Sequence, residues 1–192
     1  MNYLEIAGTA IGLVYLWLEY RASAWLWVAS IAMPAIYLKV YYDAGLYADL
    51  GISIYYIVAS LYGLACWLRK RGRHSREPEL RISPTPRRLY LPLALVFAGA
   101  WVAIGLLLSR LTDSTVPWAD AFTTALSVVA MWMLARKYLE QWLVWIAADV
   151  ACGVLYAYKG LWFTSGLYLL YAVIAMLGFR KWKQLLNYEH DN

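Results

Sequence analysis

The sequence predicts an all-α integral membrane protein of seven transmembrane helices, laid out as three helices, one helix and three helices. Three observations lead there. Of the 192 residues, 63% are hydrophobic and only 15% are charged, whereas a soluble domain carries about 25% charged residues. The apolar residues fall in long blocks, and about 20 such residues in a helix cross a hydrocarbon core about 30 Å thick. Finally, the chain matches itself at an offset of 115 residues, with Trp17 falling on Trp132 and Trp67 on Trp182.

Apolar runs bounded by charges place the spans near 3–20, 24–41, 45–68, 89–110, 117–136, 139–158 and 162–182. Helices are required, because in lipid each backbone N–H and C=O must be satisfied within its own segment, and the alternation of a membrane β-barrel is absent. The 11 Trp and 17 Tyr suit a chain with many bilayer interfaces, where amphipathic rings settle at headgroup depth. The first span opens on Asn2, Tyr3 and Glu5 rather than a basic stretch, so it reads as a retained helix and not a secretory signal.

Residues 1–68 form the first three-helix repeat. Residues 69–88, RKRGRHSREPELRISPTPRR, hold eight Arg or Lys and three prolines and read as a basic, solvated cytoplasmic loop; a nucleic-acid or lipid-binding arm is the less favoured reading. Residues 89–110 form a linking transmembrane helix, and residues 111–192 the second repeat with a C-terminal tail. With the basic loop in the cytoplasm, the N-terminus lies outside and the C-terminus inside. Fourteen Lys and Arg then fall on the inner side, against Lys39, Arg110 and Lys159 outside, which is the asymmetry that membrane insertion favours.

The self-match runs without gaps from Val14 to Trp67. It also pairs Arg21 with Arg136, Trp27 with Trp142, Tyr41 with Tyr156, Gly45 with Gly160, Gly51 with Gly166, Tyr56 with Tyr171 and Gly63 with Gly178. Three helices plus one linker is an even number, so the second unit enters the membrane in the same direction as the first. Parallel repeats of this SWEET-like kind belong to transporters, with a substrate path expected between the units near mid-depth. The departures from symmetry fall where a ligand with two unlike ends needs them: Ser30, Pro34 and Ser53 correspond to Trp145, Asp149 and Tyr168.

Asp149, inside VWIAADVACGVLY, is the most informative residue. A mid-helix Asp is unfavourable by about 2.5–3.5 kcal/mol on insertion scales, so it should face a polar cavity or a partner. Helical spacing puts Trp142, Trp145, Asp149, Cys152 and Tyr156 on one face. A carboxylate among rings suits an organic cation, each cation–π contact giving about 0.5–2 kcal/mol when desolvated; a structural acid bonded across helices is the alternative. Tyr168 and Tyr171 lie one turn apart on the last helix, and Ser53, Tyr56 and Ser60 share a face of the third. Thr123, Thr124, Ser127 and Trp132 offer hydroxyls and a ring on the fifth, although membrane hydroxyls commonly join helices. Asp49, Asp113 and Asp120 lie near outer helix ends, and Lys159 reads as a snorkelling side chain. Glu5 and Glu19 are expected to reach the interface.

Catalysis has no support. The sequence lacks a Walker glycine loop, an HExxH pair and a Ser/His arrangement; Cys66 and Cys152 lack metal-ligand spacing and read as small core residues. No cofactor, metal or nucleic-acid partner is expected. A membrane-embedded enzyme, or a substrate-binding subunit served by a separate ATPase, remains as a reading from another class.

The residues also carry a family resemblance. Residues 46–67, LYADLGISIYYIVASLYGLACW, resemble the third helix of the Pnu-type vitamin transporters. So do residues 112–127, TDSTVPWADAFTTALS, and above all residues 142–182, from WLVWIAADV to LYAYKGLWFTSGLYLLYAVIAMLGFRKW. The resemblance implies a multi-pass protein of the bacterial inner membrane that carries a vitamin by facilitated diffusion, with net uptake maintained by a separate cytoplasmic kinase. It also implies a possible homotrimer. Family substrates are nicotinamide riboside, thiamine and riboflavin. Nicotinamide riboside transporters of this family carry Gln where this chain has Ser53 and Met131. Thiamine is therefore the expected cargo and nicotinamide riboside the alternative.

Overall fold

The computed structural model describes residues 3–43, 47–68, 80–112 and 114–191. Among them are seven α-helices: α1 (Tyr3–Tyr20), α2 (Trp25–Asp43), α3 (Tyr47–Leu68), α4 (Tyr90–Leu111), α5 (Pro117–Ala135), α6 (Gln141–Tyr158) and α7 (Trp162–Asp191). Four stretches, Arg87–Leu111, Pro117–Ala135, Gln141–Tyr158 and Trp162–Tyr188, are long and apolar enough to cross a membrane. Shorter apolar stretches, Ile11–Tyr20, Trp25–Ile36 and Ser53–Leu68, occupy α1, α2 and α3.

Most helix limits fall within two residues of the charge-bounded runs, because the signals that set them are local. α5 starts with Pro117 in its first turn and Asp120 just behind it, a pairing that suits the donor-rich, positive end of a helix. The clearest departure is α7, which continues to Asp191 rather than stopping near 182. Residues 183–189, KQLLNYE, contain neither Gly nor Pro, so nothing ends the helix where its apolar stretch ends.

The chain divides into two compact units, Met1–Arg81 and Ile82–Asn192. In the first unit α2 packs against both α1 and α3. Leu26 and Trp27 are wholly buried, and Gly63 lets α3 approach the Trp27 ring. The Ser30 and Ser60 hydroxyl oxygens lie 2.8 Å apart. Ser60 donates to the Tyr56 carbonyl at 2.6 Å, and Ser30 also reaches the Trp27 carbonyl at 2.9 Å, so the hydroxyls clasp α2 to α3. Glu19 does not reach an interface: it is enclosed, 1% exposed.

In the second unit α5 lies between α4 and α6, and α7 packs along α6. α4 rests on α5 through Trp101, which donates to the Trp118 carbonyl at 2.9 Å, and through edge-to-face contacts of Phe97 and Trp101 with Phe122. Gly153 brings α6 close to α7, where Ser165 donates to the Gly153 carbonyl at 2.8 Å. The end of the basic segment is not a solvated linker. Ile82 and Thr85 are buried, Ser83 pairs with the 137–139 backbone, and both Thr85 N–H and Thr85 Oγ1–H donate to Glu140 Oε2 at 2.7 Å. Residues 69–79 of the predicted loop lie outside the described residues.

The same local geometry recurs in both units at the 115-residue offset. Trp27 meets Trp67 edge to face at 5.7 Å, and Trp142 meets Trp182 at 5.6 Å. A Cβ on Gly63 would strike Trp27, and one on Gly178 would strike Trp142. The guanidinium of Arg21 lies over Trp17, and that of Arg136 over Trp132. α1 and α5 also end alike. Ser23 N–H bonds to the Leu18 carbonyl and Ala22 N–H to Glu19; Tyr138 N–H bonds to Met133 and Lys137 N–H to Leu134. This is the Schellman ending, which requires a left-handed residue. Ala22 (φ 52°) and Lys137 (φ 53°) supply it, although neither is glycine.

Candidate functional site

Asp149 lies in the middle of α6 and is only 7% exposed. Among the described residues its carboxylate has no hydrogen-bond or ion-pair partner. An acid enclosed in a membrane-crossing helix calls for a polar counterpart, and a bound ligand can supply one. One turn earlier on α6, the buried indole N–H of Trp145 also lacks a partner among the described residues. A donor and an acceptor thus stand four residues apart on the same face of one helix.

Tyrosines continue from Asp149 toward the α6–α7 turn. Tyr171 on α7 lies within electrostatic range of Asp149. Its ring meets Tyr168 at 5.8 Å and 70°, and Tyr168 stacks on Tyr156 of α6 at 5.2 Å and 15°. The Lys159 ammonium sits 5.8 Å from the centre of the Tyr156 ring and 2.7 Å from Asp120 Oδ1. Ser114 donates to the other oxygen of Asp120 at 2.6 Å. The end of α6 is closed by Leu161 N–H on the Tyr156 carbonyl and Gly160 N–H on Ala157. Here the left-handed position is a glycine, Gly160, at φ 75°, the residue this ending favours.

Asp149, Trp145, Tyr156, Tyr168 and Tyr171 are therefore gathered along the α6–α7 side of the second unit. Trp142 is placed differently: it is fully enclosed against Gly178 and Trp182, so its ring is taken up in packing. Trp132 lies near the end of α5, with Tyr138 at 6.0 Å and Arg136 over its face. Thr124 donates to the Asp120 carbonyl at 2.8 Å and Ser127 to the Thr123 carbonyl at 3.0 Å. Both hydroxyl protons are used within α5, leaving only oxygen lone pairs to accept. Ser53, 6% exposed, and Tyr56, tilted against Tyr55 at 5.6 Å, belong to α3 in the first unit.

Sequence reasoning missed two features. The Asp120–Lys159 pair joins residues 39 apart, for which no local pattern exists. Gln141 is wholly buried, and both polar atoms of its amide lack a partner among the described residues; a polar residue at the head of an apolar helix resembles an ordinary interfacial position. No group of three or more His, Cys, Asp or Glu is gathered among the described residues to hold a metal.

The family model described as nicotinamide mononucleotide transporter matches residues 2–184. The nicotinamide riboside transporter PnuC of Escherichia coli (strain K12) is 26% identical over 204 aligned residues, covering 95% of this chain and 85% of that protein. The riboflavin/roseoflavin transporter RibM of Streptomyces davaonensis is 26% identical over 180 residues, covering 93% and 83%. The crystal structure of the vitamin B3 transporter PnuC aligns with a TM-score of 0.68 at 21% identity, over 93% of this chain and 80% of that one. At that identity the likeness speaks for the fold.

Proposed function

The chain belongs to the nicotinamide mononucleotide transporter family, and on that premise we propose that it carries nicotinamide riboside across the bacterial inner membrane by facilitated diffusion. The observation that carries this reading is the enclosed Asp149, whose carboxylate has no hydrogen-bond or ion-pair partner among the described residues, in the middle of α6. Nicotinamide riboside is a flat pyridinium cation, so a carboxylate and aromatic faces are the groups that recognise it.

The thiamine expectation gives way to this alternative. It rested partly on Met131 standing where an amide was expected, but Met131 is 4% exposed and counts among the enclosed core of α5. The relatives named for their cargo carry nicotinamide riboside and riboflavin. Seven spans as 3+1+3 parallel repeats, with the N-terminus outside, are part of the proposal; the interactions recurring at the 115-residue offset support it. Uptake is then maintained by a separate cytoplasmic kinase that phosphorylates the vitamin, because a passive carrier only equalises concentrations.

Proteoliposomes containing the purified chain test the proposal. Labelled nicotinamide riboside should equilibrate quickly, and should accumulate only when a nicotinamide riboside kinase and ATP are enclosed. Entry no faster than into protein-free liposomes would sink the reading, and accumulation without the kinase would replace passive transport with ion coupling.

A further inference from the structure

The geometry points to a second cation-binding station at the α6–α7 turn, formed by the Asp120 carboxylate and the Tyr156 ring, with the Lys159 side chain as its tethered and displaceable occupant. The proposal rests on the cationic cargo argued above and adds a site nearer the end of the helices. In this structure Lys159 makes the two contacts that an organic cation would make there. Its ammonium lies 2.7 Å from Asp120 Oδ1 and 5.8 Å from the centre of the Tyr156 ring.

Three features make the occupant exchangeable while the site stays formed. Lys159 and Asp120 side chains are 25% and 26% exposed, and an ion pair that is not enclosed holds its partners only weakly. Ser114 holds Asp120 Oδ2 at 2.6 Å independently of Lys159, so the carboxylate keeps its aim when the ammonium leaves. The Lys159 backbone is fixed by the Gly160 turn, with its N–H on the Leu155 carbonyl at 3.0 Å. Displacement therefore needs only rotamer changes in a flexible four-carbon stem.

The station is connected to the deeper acid. Tyr156 and Asp149 are seven residues apart on α6, about 10 Å along the helix. The Tyr156–Tyr168–Tyr171 ring run leads from one to the other. A carboxylate stands at each end, Asp120 at one and Asp149 at the other. A pyridinium that displaces Lys159 at the first finds the same chemistry, with a less exposed acid, at the second.

Titration of the purified full-length chain with 1-methylnicotinamide, a permanent pyridinium without a ribose, tests this when performed in an Asp149→Asn background. Adding Lys159→Met, or Lys159→Gln should the first fold poorly, is expected to tighten pyridinium binding by about fivefold or more. Lys159→Arg should leave it weak, and Asp120→Asn added to Lys159→Met should remove the gain. Neutral nicotinamide should bind alike in all of them. Unchanged or weaker pyridinium binding after Lys159→Met and Lys159→Gln, or a gain that survives Asp120→Asn, overturns the station. Failure of the wild-type chain to move nicotinamide riboside overturns the proposed function instead, since this titration requires no transport.

Discussion

Trp142 stands edge-on to Trp182 with ring centroids 5.6 Å apart, and the space for this contact is left by Gly178, where a Cβ would run into the Trp142 ring. Trp27, Trp67 and Gly63 repeat the relationship in the first unit. Gly63→Ala and Gly178→Ala should each lower stability by about 1–3 kcal/mol, because an overfilled contact forces ring or backbone to shift. Thermal unfolding of the two variants checks this. Gly166→Ala is the control, since nothing stands within 4 Å of the added carbon.

Ala22 occupies a left-handed position, φ 52°, at the end of α1. A Cβ is disfavoured there by about 1–2 kcal/mol, and part of that is returned as the greater freedom of glycine in the unfolded chain. Ala22→Gly is expected to stabilise the protein by about 0.5–1 kcal/mol, read as a higher melting temperature. A fall would show that the Ala22 methyl makes a packing contact worth more than the strain.

Asp149→Asn should weaken nicotinamide riboside binding about tenfold or more, which corresponds to about 1.4 kcal/mol, while Thr124→Val should change it less than about twofold. The contrast follows from hydrogen bonding: the Asp149 carboxylate has no partner among the described residues, whereas the Thr124 hydroxyl already donates within its own helix. Calorimetric titration of both variants decides it, and a reversed order removes Asp149 from the site.

Glu140 Oε2 accepts two bonds from Thr85, both at 2.7 Å, and so fixes the segment ahead of α4 against the α5–α6 turn. Bonds to a charged acceptor contribute about 1.5–3 kcal/mol each, and less where the acceptor is only half-buried, as Glu140 is. Glu140→Gln should therefore open residues 82–86 locally, and trypsin should cut several-fold faster at the flanking Arg81, Arg87 and Arg88. Equal cutting rates would mean that the Ser83–Lys137 backbone pairing holds the segment unaided.

The helices were legible because an apolar run between charges is a local signal, and α1 begins and ends on the expected residues. α7 overran its expected end because hydropathy marks where lipid stops, not where a helix must. The candidate site was legible only in part. Asp149 was conspicuous as a charge among apolar residues. Trp142 and Trp145 look alike in the sequence, and the indole N–H of each lacks a partner among the described residues; only the Gly178 contact marks the Trp142 ring as taken up in packing. That distinction was latent in the self-match, where Trp27 and Gly63 fall on Trp142 and Gly178 together. The docking of Thr85 on Glu140, 55 residues away, depends on tertiary placement and left no trace in composition or period.

The serine clasp of the first unit has its own consequence. Ser30 and Ser60 share a hydrogen bond across α2 and α3, whereas the corresponding residues of the second unit, Trp145 and Ala175, have no hydroxyl to exchange. In the first unit these two helices are fastened by side chains of their own; at the matching place in the second, the Trp145 indole N–H has no partner among the described residues, a fastening withdrawn where the proposed function seats a guest molecule.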